Sequence, residues 1–118
     1  MGFREQHPFE VRAAESIRIR EKFPGRVPVI VERGLRSKTV PIIDKHKFLV
    51  PGDLTLGQFT YVIRTRIQLP PESALFLFVN NSLPTTGSLM KELFWSQKDA
   101  DGFLYVQYCG ENTFGLTK

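Results

Sequence analysis

From Thr55 onward, Leu56, Phe59, Val62, Ile63 and Ile67 recur at steps of three and four residues, with Arg64 and Arg66 between them, until Pro70-Pro71 ends the segment. That spacing gathers the apolar side chains on one stripe of a helix, which then needs a broad apolar surface to cover. The flanking runs supply it. Val27-Pro28-Val29-Ile30-Val31-Glu32 is short and β-branched, Lys47-Phe48-Leu49-Val50-Pro51 is a second short strand closed by Pro51-Gly52-Asp53, and Ala74-Leu75-Phe76-Leu77-Phe78-Val79 is continuously apolar. The first two pair as a hairpin. The third, apolar on both faces, is expected in the middle of the sheet, and Asn80-Asn81 after it tolerates left-handed turn geometry.

Ser82-Leu83-Pro84 reads as a brief fourth strand, Ser88 to Trp95 as a short helix, and Phe103 to Tyr108 as the last strand. Ahead of the sheet, Phe9, Ala13 and Ile17 fall at four-residue spacing between Pro8 and Lys22, the pattern of one amphipathic helix or of two short ones joined by a bend. Phe23-Pro24-Gly25 stops that arm. A helix linking two hairpins and covering one sheet face is the α+β, β-grasp arrangement. A chain of 118 residues is read as one domain, with a helical arm over 1–24, a core over 25–109 and a flexible tail over 110–118.

Composition excludes several functions. No stretch nears the ~18 apolar residues of a membrane span, and the polar start, with Arg4, Glu5 and His7, does not read as a secretory or transit signal, so the expected compartment is cytoplasmic. The lone Cys109 sits in an apolar run and reads as a buried, inert thiol. His7 and His46 stand in polar surroundings, no Cys/His/Asp/Glu set has metal spacing, and the glycines form no phosphate cradle. We therefore expect no enzyme, no catalytic residue, no metal and no cofactor, and a binding module instead.

Residues 1–66 carry 13 Lys and Arg against 7 Asp and Glu, whereas the rest carries 3 against 5. A basic front suggests acidic partners. The cations are scattered among glutamates and no reader motif is present, so nucleic acid is not expected, and acidic peptides or anionic headgroups are. Lys45-His46-Lys47-Phe48-Leu49-Val50 places bases beside apolar residues on a strand near the sheet edge. Lysines there discourage unwanted pairing, and the same edge can accept an extended peptide as an added strand.

Several motifs together resemble the GABARAP-type family of autophagy modifiers over nearly the whole chain: His7-Pro8-Phe9-Glu10, Ile19-Arg20-Glu21-Lys22-Phe23-Pro24, Arg26 to Glu32, Phe48-Leu49-Val50-Pro51, Asp53-Leu54-Thr55, Gly57-Gln58-Phe59, Phe78-Val79-Asn80-Asn81 and Asp101-Gly102-Phe103-Leu104-Tyr105. The resemblance implies a ubiquitin-like β-grasp with two additional N-terminal helices. It implies cleavage by a cysteine protease after Gly115, which follows Phe114, then passage through activating and conjugating enzymes to an amide with phosphatidylethanolamine. A diacyl lipid would hold the domain on an autophagosome or vacuole membrane, at roughly 0.8 kcal/mol per buried methylene.

The resemblance also implies two pockets that receive an extended W/F/Y-x-x-L/I/V peptide from autophagy receptors and adaptors. Matching positions for the first are Glu15, Ile19, Pro28, Lys47, Leu49 and Phe103, and for the second Phe48, Val50, Pro51, Leu54, Phe59 and Val62. Arg26, Lys45, Lys47 and Arg64 would meet acidic residues flanking the motif. Core packing is the plain alternative for Ile19, Leu54 and Phe59. Phe48 stands where tyrosine is frequent, Val62 where leucine is, and His46 interrupts a lysine run. The expected state is a monomer. The competing reading is a lipid-independent adaptor that binds cargo or cytoskeleton through its basic N-terminal face.

Overall fold

The computed structural model describes residues 2–111. Eight elements follow in order: α1 (Phe3–Gln6), α2 (Phe9–Lys22), β1 (Arg26–Arg33), β2 (Lys47–Pro51), α3 (Leu56–Arg66), β3 (Phe76–Phe78), α4 (Met90–Gln97) and β4 (Leu104–Cys109). The four strands form one mixed sheet in the order β2-β1-β4-β3. β1 pairs antiparallel with β2, as the hairpin reading required, and parallel with β4, while β3 pairs antiparallel with β4.

Alternation along the strands creates two apolar faces. Val27, Val29 and Val31 of β1, Phe48 and Val50 of β2, and Leu104, Val106 and Tyr108 of β4 join Leu56, Phe59 and Ile63 of α3 in the main core. The other face carries Pro28 and Ile30, which register with Leu49 and Lys47 across the hairpin, while Ile30 also registers with Tyr105. This second face is covered by the N-terminal arm, where the Phe3 ring lies edge-on to Phe103 with centroids 5.4 Å apart.

Local chemistry sets the ends of α3. The Thr55 hydroxyl accepts from the Gln58 amide while the Gln58 side chain accepts from the Thr55 amide, a reciprocal cap that satisfies two otherwise orphaned donors. Gln68, at φ 56°, then turns the chain out of the helix. Asn80 and Asn81 both take positive φ, 50° and 63°, and Val79 and Ser82 exchange backbone hydrogen bonds across them. This is the tight turn that the asparagine pair anticipated.

Four expectations need correction. β3 is an edge strand, not the middle of the sheet. Leu77 and Phe78 are buried on opposite faces, and burial on both faces leaves the same apolar run at an edge as at a centre. Residues 82–84 make no strand, because only the single Val79–Ser82 bridge forms before the chain leaves the sheet. The short helix begins at Met90, not Ser88; the Ser88 carbonyl instead accepts from the Leu56 amide at 2.8 Å. The arm has one long helix preceded by a short one, and Phe9 and Ile17 face outward. The side turned to the body carries Arg12 and Ser16, which hydrogen bonds to Asp101 hold in place.

Candidate peptide-binding edge

β2 has a neighbour on one side only. The Val31 amide donates to the His46 carbonyl at 2.8 Å. In an antiparallel ladder the bonding direction alternates, so Val29/Phe48 and Val27/Val50 exchange bonds, whereas Lys47 and Leu49 turn their backbone groups toward the open edge. By the same alternation Pro28 points toward β4. The β1–β4 ladder starts only at Val29/Leu104, so its missing N–H costs no bond.

The residues assigned to a first pocket come together. Pro28, Lys47 and Leu49 share one sheet face, Phe103 is buried immediately before β4, and Glu15 and Ile19 descend from α2, both half-buried. The Lys47 ammonium is ion-paired with the Glu15 carboxylate and also lies 5.8 Å from the centre of the Phe3 ring. Sequence reasoning missed Phe3, which lies against Phe103, and His7, whose ring is tilted at 47° to that of Phe3 with centroids 4.7 Å apart. A lone aromatic in a polar N-terminus carries no periodicity that could have revealed it.

The second set lies on the opposite face, and half of it is buried. Phe48 and Phe59 meet edge-on at 5.7 Å and, with Val50, belong to the main core. Core packing is therefore what Phe59 does, and it leaves Leu54, half-buried, and Val62, 40% exposed, as the accessible apolar members, with Pro51 exposed at the strand end. A single strand thus has partly exposed apolar side chains on both sides of it, Leu49 with the first set and Leu54 and Val62 with the second, along an edge where the Lys47 and Leu49 backbone groups have no partner strand.

The four cations differ in what they already hold. Arg26 donates to the Leu49 carbonyl at 3.1 Å, and the Lys45 ammonium sits 5.1 Å from the Phe48 ring centre. Arg64 is committed elsewhere: its guanidinium donates to the carbonyls of Pro70 at 3.2 Å and Ser73 at 2.7 Å, fastening the turn after α3.

Behind the first pocket lies a buried polar anchor. Asp101, 1% exposed, accepts from the Arg12 guanidinium and from the Tyr105 hydroxyl, both at 2.5 Å, and from the Phe103 amide at 2.8 Å. Ser16 donates to the Asp101 carbonyl at 2.6 Å. This cluster locks α2 onto the start of β4 and so sets the spacing between Glu15, Ile19 and Phe103. Burial and the hydrogen bond to Asp101 push the Tyr105 phenol upward. Burial likewise raises Cys109, a free and buried thiol that retains its proton.

His46 bonds the Val31 carbonyl through Nδ1 at 3.0 Å. Among the described residues no three His, Cys, Asp or Glu side chains gather as metal ligands, and no helix is long and apolar enough to cross a membrane. Gly115 lies outside the described residues.

Residues 11–115 match the sequence profile of the family described as "Autophagy protein Atg8 ubiquitin like". Autophagy-related protein 8 of Candida glabrata is 60% identical over 114 residues, spanning 97% of this chain and 96% of that protein. Autophagy-related protein 8d of Arabidopsis thaliana is 58% identical over 115 residues, spanning 98% and 95%. The crystal structure of Trypanosoma brucei ATG8 shares the fold with a TM-score of 0.89 at 43% identity, covering 98% of each chain. The ubiquitin-like fold expected from the sequence is thereby established, and the chain belongs to the Atg8 family of ubiquitin-like autophagy proteins.

Proposed function

We propose that this protein is a conjugated modifier: it is cleaved after Gly115, joined through that carboxyl to the amine of phosphatidylethanolamine, and used on autophagosomal or vacuolar membranes to gather receptors bearing W/F/Y-x-x-L/I/V segments. It is a substrate of a cysteine protease and of activating and conjugating enzymes, and is not itself an enzyme. The observation that supports the binding half is the open β2 edge, where the backbone groups of Lys47 and Leu49 face outward with apolar side chains on either face. A docking strand alternates its side chains, so residues three apart in a twisted peptide reach both faces while main-chain bonds supply register. The conjugation half is supported by membership of the Atg8 ubiquitin-like family.

The domain is cytoplasmic until conjugated. Intact mass of the protein from its own cells tests the conjugation half, with wild type beside Gly115→Ala in soluble and membrane fractions. The expected wild-type chain ends at Gly115 and is heavier by one phospholipid on membranes, a form absent from the variant. An intact Lys118 terminus in both fractions would refute conjugation and leave a peptide-binding domain.

A further inference from the structure

A second cleft, of about 360 Å3, lies between the C-terminal end of α2, the start of β1, the Gly52-Asp53 turn and α4. Its lining combines three cations, Arg20, Arg26 and Lys91, with one carboxylate, Asp53, and the aromatic rings of Phe94 and Trp95. Lys91 and Asp53 neutralise one another at 2.9 Å, which leaves the two arginines without a carboxylate partner among the described residues.

Arg20 has a particular geometry. Its guanidinium lies 4.6 Å from the Trp95 ring centre and 5.5 Å from that of Phe94, and no hydrogen bond or ion pair to a described residue engages it. Contact with the aromatic faces restrains the guanidinium and leaves its in-plane N–H donors available for the two oxygens of one carboxylate. Trp95 itself is 59% exposed, a large apolar surface beside those donors. Phe94, in contrast, is buried and anchors α4.

We propose that this cleft is a second peptide-docking site, which takes an acidic side chain on Arg20, with Arg26 beside it, and a neighbouring aliphatic side chain on the Trp95 ring. Charge complementarity selects an acidic occupant. The concave shape favours a peptide over a membrane, because the cations line a cleft and not a flat face. The site requires neither conjugation at Gly115 nor strand addition at β2, although Arg26 reaches both places.

Trp95 is the only tryptophan of the chain, so its indole N–H gives a single reporter resonance. The test titrates 15N-labelled protein with acetyl-Asp-Leu-Asp-Leu-amide. The expected result is a saturable shift of the indole resonance together with the Gly25 and Gly52 amides. Affinity should fall roughly tenfold when both Asp residues of the peptide are replaced by Asn, and by a similar factor in Arg20→Gln, whose spectrum also reports that the fold is intact. Arg20→Lys, which keeps the charge and loses the fork, should lie between. Lys47→Ala at the β2 edge should leave the indole response unchanged. Absence of a saturable shift, an equal response in Arg20→Gln, or an indole response to phosphatidylserine vesicles and not to the peptide would each overturn the proposal.

Discussion

The Arg26 guanidinium donates to the Leu49 carbonyl at 3.1 Å, so a β1 side chain reaches round to a backbone group that faces the open edge of β2. A carbonyl oxygen has two lone pairs, and a docking peptide can add its amide while Arg26 stays and presents its charge to an acidic flank. Arg26→Ala should therefore lower the affinity for a W-x-x-L peptide with acidic flanks by about two- to fivefold at low salt, the scale of an exposed charge contact. Calorimetry at low and high ionic strength checks this. The gap between wild type and variant should close as salt screens the contact, and a gap that salt leaves intact would point to a structural role instead.

Asp101 couples the arm to the sheet. Asp101→Asn leaves the Arg12 guanidinium, itself mostly buried, without its countercharge and weakens the bond to Tyr105. Loss of one partner of a buried pair costs about 3–5 kcal/mol. Urea unfolding should show that loss, and first-pocket peptide binding should weaken even in the folded fraction, since α2 carries Glu15 and Ile19.

Gly102 takes φ +91°, and a Cβ placed there would collide with the Ser16 hydroxyl that anchors α2. Gly102→Ala should destabilise by about 1–3 kcal/mol through strained backbone and a displaced helix. Gly25, where a Cβ meets nothing within 4 Å, is the matched control. Gly25→Ala should be neutral or stabilise by up to about 1 kcal/mol. Equal losses at the two sites would refute the account.

Alkaline pH should destabilise the protein. Tyr105, Tyr108 and Cys109 are all raised by burial from ordinary values of 10.0, 10.0 and 9.0. A raised folded-state value means that the unfolded chain releases its proton first, so this stability is complete below pH 9 and is lost as pH climbs past the unfolded values. At the other end, Asp99 is held below its ordinary 3.8; burial opposes this, but the Asp101 amide and Arg4 outweigh it. Its contribution fades as pH falls below that value. Thermal unfolding across pH should show a broad maximum between the two limits, with Tyr105→Phe flattening the alkaline side.

Much of the fold was legible because local rules and tertiary need coincide. Four members of the helical stripe, Leu56, Phe59, Ile63 and Ile67, are buried as their spacing required while the fifth, Val62, stays exposed at its margin, and Asn80-Asn81 makes the turn its chemistry allows. The N-terminal arm was legible as helix but not in orientation. Phe9, Ala13 and Ile17 mark a face by hydrophobicity, whereas polar anchors at Arg12 and Ser16 decide which face turns inward. Among the site residues, Pro28, Lys47 and Leu49 were grouped by the family resemblance, and the register of the β1–β2 hairpin puts them on one face. Phe3 reached Phe103 across the length of the chain, which a sequence does not display.

By itself, the sequence determined the elements that depend on neighbours a few residues away: the amphipathic α3 with its Thr55–Gln58 cap, the β-branched hairpin, and a basic edge bearing Lys45 and Lys47. It also carried the motifs that identify the family. Only the tertiary structure decided that β4 enters between β1 and β3, that Arg64 is spent on the turn at residues 70–73, and that Arg20 rests on the ring of Trp95. These depend on contacts between segments far apart in the chain, where several partners satisfy the same local pattern and only simultaneous packing of both sheet faces selects among them.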